Sequence, residues 1–167
     1  MIILLDGSKG AGKTSVATLL TKKIKNSSIL SLDIERRALP DKEKSRTELN
    51  KEAFEILVEK AMTLLSETHT IIVDCGLIPE RIKRFEELSR ETHIKLYKFF
   101  LKASHNTLLD RVRSRDRTRG GTTNVERFEE VFKIVHDKEF KDFIVIETDV
   151  LGVEDVTKTI IKAIGRG

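Results

Sequence analysis

Tryptophan and glutamine are absent from this 167-residue chain, tyrosine occurs once, proline twice, and cysteine only as Cys75. A lone cysteine excludes an intramolecular disulfide, and no Cys/His group has the spacing of a zinc site. A reducing, cytoplasmic setting is the compartment this predicts. No apolar run approaches the length that crosses a bilayer, and the one that begins at Ile2 reads as a first strand, leaving no room for a secretory leader. No Pro/Gly/Ser-rich linker and no internal repeat divides the chain. Its length therefore predicts one domain over residues 1–167, with no separate substrate domain. Charged residues make up 35% of the sequence with both signs interspersed, and the formal net charge is +4. That surplus permits an anionic partner without requiring one. Missing glutamine beside abundant Glu, Lys and Arg leans towards a heat-adapted composition.

What the chain does contain is a phosphate-binding pattern near its start. Gly7-Ser8-Lys9-Gly10-Ala11-Gly12-Lys13-Thr14 fits G-x-x-x-x-G-K-[ST], directly after the apolar run Ile2-Ile3-Leu4-Leu5 and before a helix-periodic segment that includes Ser15. Glycines let backbone N–H groups turn inward around phosphate oxygens, and a helix opening near Lys13 adds the positive end of its dipole. Lys13 is placed to reach the β- and γ-phosphates of a nucleotide, and Thr14 to offer its hydroxyl to Mg²⁺. ATP and Mg²⁺ are the expected ligands.

Short apolar runs alternate with helix-periodic segments, the pattern of an α/β domain with a buried parallel sheet. Strands are expected at residues 2–6, 29–33, 70–74, 95–101 and 143–147. Leu49, Ala53, Ile56, Leu57, Ala61, Leu64 and Leu65 form one apolar stripe between them. Ile82, Phe85 and Leu88 form a second, Val125, Phe128, Val131, Phe132 and Val135 a third, and Val153, Val156, Ile160 and Ile164 a fourth. Pro79 is suited to the first turn of a helix. The polar stretches 38–47 and 114–124 are placed after strand ends, where ligand loops lie in open α/β sheets, and are expected to be the least ordered.

Three groups carry chemistry beyond the loop. Asp33 closes the expected second strand with Arg36 three residues on, so the carboxylate can accept the proton of a substrate hydroxyl while Arg36 holds it or an anionic acceptor group. The same residues read equally well as a helix cap followed by a solvated arginine. Asp74, at the end of the third strand, can orient Mg²⁺ through water, bind the acceptor, or cap the turn at Gly76. Arg111, Arg113, Arg115, Arg117 and Arg119 recur at every second position and end in Gly120-Gly121. On a helix, Arg111 and Arg115 share a face, and such like charges fit an anion between them, which predicts an arginine-rich lid over about 114–124 that closes on triphosphate. A solvated basic loop or a nucleic-acid contact is the other reading of that run. His69, His93, His105 and His136 show no ligand or triad spacing, and Cys75 reads as a packing residue.

The order of phosphate loop, Leu32-Asp33-x-x-Arg36, Asp74-Cys75-Gly76-Leu77-Ile78-Pro79-Glu80-Arg81 and Leu109-Asp110-Arg111-x-x-x-Arg115 resembles the phosphate-loop kinases that include polynucleotide 5′-hydroxyl kinase. The resemblance implies a three-layer phosphate-loop NTPase fold with a five-stranded parallel sheet in order 2-3-1-4-5. It implies ATP-dependent transfer of the γ-phosphate to a hydroxyl, with Asp33 as general base, Arg36 on the acceptor side, and Lys13 and Arg115 on the transferring phosphate. In adenylate-kinase-like relatives the match to Arg111 stacks on adenine. The family's Thr-Asn after the strand-end aspartate is here Cys75-Gly76. A nucleic-acid or nucleotide 5′-hydroxyl is the first acceptor implied. Small-molecule alcohols, as in antibiotic phosphotransferases and zeta toxins, are the alternative, and a non-catalytic nucleotide-binding module a further one. A GTPase is disfavoured because no Asn-Lys-x-Asp follows the fourth strand.

Overall fold

A computed structural model of the chain describes residues 1–40, 43–67, 69–76, 78–136 and 142–165. Its five parallel strands are β1 (Ile2–Asp6), β2 (Ser27–Ser31), β3 (Thr70–Asp74), β4 (Leu96–Lys102) and β5 (Ile144–Glu147). They form one sheet in the order β2-β3-β1-β4-β5, the order implied by the resemblance to phosphate-loop kinases. The helices are α1 (Lys13–Lys23), α2 (Leu32–Ala38), α3 (Arg46–Ser66), α4 (Pro79–Thr92), α5 (His105–Thr118), α6 (Val125–His136) and α7 (Val153–Ile164). Two compact units divide the chain, residues 1–5 with 17–97 and residues 6–16 with 98–167. Among the described residues no helix is long and apolar enough to cross a membrane.

In the first unit, β1 and β3 are buried along almost their whole length, which is why each reads as an unbroken apolar run and not an alternating one. Their register places Ile2 beside Ile71, Ile3 beside Ile72 and Leu4 beside Val73. On the outer side β2 pairs with β3 from Ser27 opposite Thr70 to Ser31 opposite Asp74. The second strand thus begins and ends two residues earlier than expected. Ser27 and Ser28 complete their backbone hydrogen bonding on the edge of the sheet, and Leu32, buried, starts α2 at once. Asp33 consequently lies in the first turn of α2 and not at a strand end.

Helix α3 opens with a capping box. Ser45 accepts from the Glu48 amide while Glu48 accepts from the Ser45 amide, so the last residues of the 38–47 stretch are ordered by the helix start, while 41 and 42 lie outside the described residues. Ala53, Leu57, Ala61 and Leu65 form its buried face, as the periodicity predicts, with Val58 added. Pro79 takes the first turn of α4, where its missing N–H removes no helical hydrogen bond, and Phe85 and Leu88 are its buried anchors.

In the second unit, β4 and β5 pair from Phe99 opposite Ile144 to Lys102 opposite Glu147, each strand starting one residue later than expected. Helix α5 is capped by the Ser104 hydroxyl, which accepts from the Thr107 amide, and buries Leu108 and Val112. Its continuation to Thr118 makes the first half of the expected lid helical. Only residues 119–124 form a loop before α6.

Candidate functional site

The phosphate loop packs on α5 inside the second unit. A Cβ on Gly10 would stand 2.7 Å from the Leu108 carbonyl oxygen and 3.1 Å from a Val112 methyl, so only a glycine brings the loop this close. At Gly12 the same test meets nothing within 4 Å, and this side of the loop is open. Ser8 and Ala11 are buried, whereas Lys9, Thr14 and Ser15 are exposed. The Ala11 amide donates to the Ser8 carbonyl at 3.1 Å and the Val16 amide to the Gly12 carbonyl at 2.9 Å, closing the loop into the first turn of α1. Lys13 is the first residue of that helix. Its ammonium folds back to donate to the carbonyls of Gly7 at 2.7 Å and Ser8 at 3.3 Å, spanning the mouth of the loop at the positive end of the helix.

Thr14, in the exposed first turn of α1, presents the hard oxygen donor that Mg²⁺ prefers. Among the described residues no group of three or more His, Cys, Asp or Glu side chains could hold a metal unaided. A hydroxyl oxygen of this kind fits Mg²⁺, which keeps its waters and takes one or two protein oxygens together with substrate phosphates.

Two arginines of the 111–119 run have partners that the sequence did not disclose. Arg111 donates through Nη1 to the Thr148 hydroxyl at 3.2 Å and through Nη2 to the Thr148 carbonyl, fastening α5 to the segment after β5. Arg115 turns instead to its neighbour Asp116, whose Oδ1 accepts from Nε at 3.2 Å and Nη2 at 2.9 Å. Within the chain, Arg111 and Arg115 thus have two separate anchors. Asp116 also accepts from the Thr123 hydroxyl at 3.0 Å and faces Lys9 of the phosphate loop at 3.9 Å. Its carboxyl lies below the usual range, chiefly because of the hydrogen bonds from Arg115. The Asp116 carbonyl receives the amides of Gly121 at 2.9 Å and Arg119 at 3.1 Å. Hydrogen bonds from Thr123, Arg119 and Gly121 thus gather on Asp116, whose carboxylate also faces Arg115, a pairing that the reading from like-charge repulsion did not include. Arg113, Arg117 and Arg119 are exposed.

Two further contacts brace α5. Asp149 accepts from the Ser104 amide at 3.0 Å and from its hydroxyl at 2.6 Å, and these bonds, with the Thr107 hydroxyl, lower its carboxyl to about 2. His105 meets Glu129 of α6 at 2.7 Å and stands edge-on to Phe128 and Phe132; the Glu129 hydrogen bond raises its pKa. His105 thus joins α5 to α6.

In the first unit, Arg36 donates through Nη2 to Asp33 at 2.6 Å and through Nη1 to the Asn50 side-chain oxygen of α3 at 2.9 Å. Arg36 is not the solvated arginine of the alternative reading: its side chain is only 17% exposed, against 63% for Asp33. The carboxylate is thus held at one oxygen and open to solvent. Asn50 had no local signal in the sequence, since only the packing of α2 on α3 brings it to Arg36. Asp74 is half-buried at the end of β3. Arg81 donates to the Cys75 and Gly76 carbonyls, and its guanidinium lies 5.4 Å from the centre of the Phe54 ring. Arg81 therefore braces the turn after β3, with Cys75 buried beneath it; Leu77 of that turn lies outside the described residues.

A glycine loop closed by a helix-opening lysine, after the first strand of a 2-3-1-4-5 parallel sheet, defines a phosphate-loop protein with the kinase fold. The family model described as AAA domain matches residues 2–134, and the chain belongs to that family. A comparison with curated proteins finds no match. Among solved structures, the tunicamycin resistance protein of Deinococcus radiodurans superposes with a TM-score of 0.70 at 22% identity, covering 98% of this chain and 95% of that one. The Mycobacterium tuberculosis APS kinase in complex with AMPPNP and APS gives 0.72 at 16% identity, covering 98% and 96%. A gluconokinase from Sinorhizobium meliloti gives 0.67 at 15%, covering 98% and 91%. At these identities the likeness establishes a shared fold.

Proposed function

We propose that the whole chain works as one ATP-dependent phosphotransferase, with a hydroxyl as acceptor. The observation that carries this reading is Lys13, whose ammonium is held across the mouth of the glycine loop by the Gly7 and Ser8 carbonyls. Phosphate oxygens would receive that ammonium and the inward N–H groups, and Arg115 would add charge where the phosphoryl group transfers. Bound Mg²⁺ would neutralise phosphate charge, with Thr14 as a protein ligand and Asp74 as a partner of its waters. Asp33, fixed by Arg36 yet exposed, is the base assigned to the acceptor hydroxyl.

Two acceptor classes follow from different observations. Structures of the same fold include kinases named for APS and for gluconate, which favours a small-molecule alcohol. The Asp33-x-x-Arg36 and Arg111-x-x-x-Arg115 spacings, similar to polynucleotide kinase, favour a nucleic-acid or nucleotide 5′-hydroxyl. Incubation with γ-labelled ATP, Mg²⁺ and a panel of 5′-hydroxyl oligonucleotides, nucleosides and metabolite alcohols separates them. Label on the small alcohols alone selects the first class, label on oligonucleotides or nucleosides the second. A folded protein that binds ATP and labels none of them is a nucleotide-binding module.

A further inference from the structure

Asp116 meets both Lys9 of the phosphate loop and Arg115 of α5, and both its carboxylate and its backbone carbonyl take part in the network. Oδ1 takes the Nε and Nη2 edge of Arg115 at 3.2 and 2.9 Å; Oδ2 takes the Thr123 hydroxyl at 3.0 Å and lies 3.9 Å from Lys9 Nζ; the carbonyl takes the Gly121 and Arg119 amides. A guanidinium held by its Nε and Nη2 edge keeps Nη1 free, and a fork fixed in this way loses less rotamer freedom when it engages phosphate. Asp116 is the less exposed partner, at 17% against 37% for Arg115, so the anchor is the better fixed of the two.

We propose that Asp116 is a positioning residue that presents Arg115 to the nucleotide and ties residues 119–123 to the end of α5. The proposal rests on the kinase reading above for the destination of Arg115, but the positioning itself does not. Lys9 contributes little to the arrangement, because its contact is long and its side chain is 42% exposed.

The test has two arms. In nucleotide-free protein, the Arg115 side-chain Nε–H is followed by NMR on ¹⁵N-arginine protein and identified by its loss in Arg115→Lys. Its exchange with water is expected to be at least fivefold faster in Asp116→Asn and unchanged in Thr123→Val, which keeps the Arg115 contact. An unaltered rate in Asp116→Asn overturns the positioning role whatever the protein does with nucleotides.

The second arm measures AMPPNP binding with Mg²⁺ by calorimetry. Asp116→Asn is expected to weaken binding about fivefold and Arg115→Ala about tenfold, with the double variant no weaker than Arg115→Ala, because a residue acting through Arg115 has nothing to act on once it is gone. Independent effects, giving about fiftyfold in the double variant, would show that Asp116 serves only the loop. That result overturns the proposal and leaves the kinase reading standing. Wild-type protein that fails to bind AMPPNP overturns the kinase reading and the purpose given to Arg115, while the exchange arm still reports whether Asp116 holds it.

Discussion

Replacing Gly10 and Gly12 separately by alanine distinguishes two reasons for glycine in the phosphate loop. Both residues have a left-handed backbone, with φ of +92° and +93°. An alanine there costs about 1–2 kcal/mol from the clash of Cβ with its own backbone. At Gly12 that is the whole expected loss, because the new methyl enters open space. At Gly10 the methyl also meets the Leu108 carbonyl oxygen at 2.7 Å and Val112 at 3.1 Å. The carbonyl is helix backbone and cannot turn aside, so the loop must lift from α5, an overpacking cost of about 1–3 kcal/mol more. Each kcal/mol moves the midpoint by about 2–4 °C in a chain of this size. Thermal and urea unfolding followed by circular dichroism should therefore place Gly10→Ala about 2–12 °C below Gly12→Ala. Equal losses, or a larger loss at Gly12, would refute the packing of the loop on α5.

Asp33→Asn keeps the shape of the side chain and removes the proton acceptor, so kcat should fall about 10²–10⁴-fold with ATP affinity nearly unchanged; a collapse of ATP affinity with kcat preserved would assign Asp33 to nucleotide or metal. Arg115→Ala should lower kcat more than it weakens ATP binding, while the exposed Arg117→Ala changes both little, and equal mild effects would make the run a solvated loop. Amide exchange in residues 119–124 should slow when AMPPNP and Mg²⁺ are added, and exchange indifferent to nucleotide would remove the lid. Asp149, whose carboxyl is lowered to about 2 from an ordinary 3.8, contributes stability that is present above pH 4 and lost as pH falls towards 2. The midpoint difference between wild type and Asp149→Asn should therefore shrink across that window, and a constant difference would contradict the Ser104 contact.

The strand positions, the loop and the stripes of α3 and α4 were legible because each depends on local pattern: buried parallel strands are unbroken apolar runs, and helix faces recur with helical period; the strand order was implied only by the resemblance to phosphate-loop kinases. Strand and helix ends were less so. The β2 boundary moved because Ser27 and Ser28 pair at a sheet edge despite weak strand preference, and this carried Asp33 from a strand end into α2. Arg111 and Arg115 were placed correctly on one helix, yet their partners Thr148 and Asp116 arise from tertiary packing and from a neighbour that helical spacing does not select. Asn50 belongs to the same class, reaching Arg36 across fourteen residues of sequence.

The central claim is that Lys13 stabilises a phosphoryl group in transfer, and it is tested most directly by comparing wild type with Lys13→Ala for transfer of γ-labelled phosphate from ATP to the acceptor found in the panel. Among the described residues Lys13 bonds to the carbonyls of its own loop, so its loss opens no cavity and the unfolding midpoint should stay close to that of wild type. Transfer should fall about 10²-fold or more while the fold is retained. A folded Lys13→Ala protein that transfers phosphate at the wild-type rate would contradict the account.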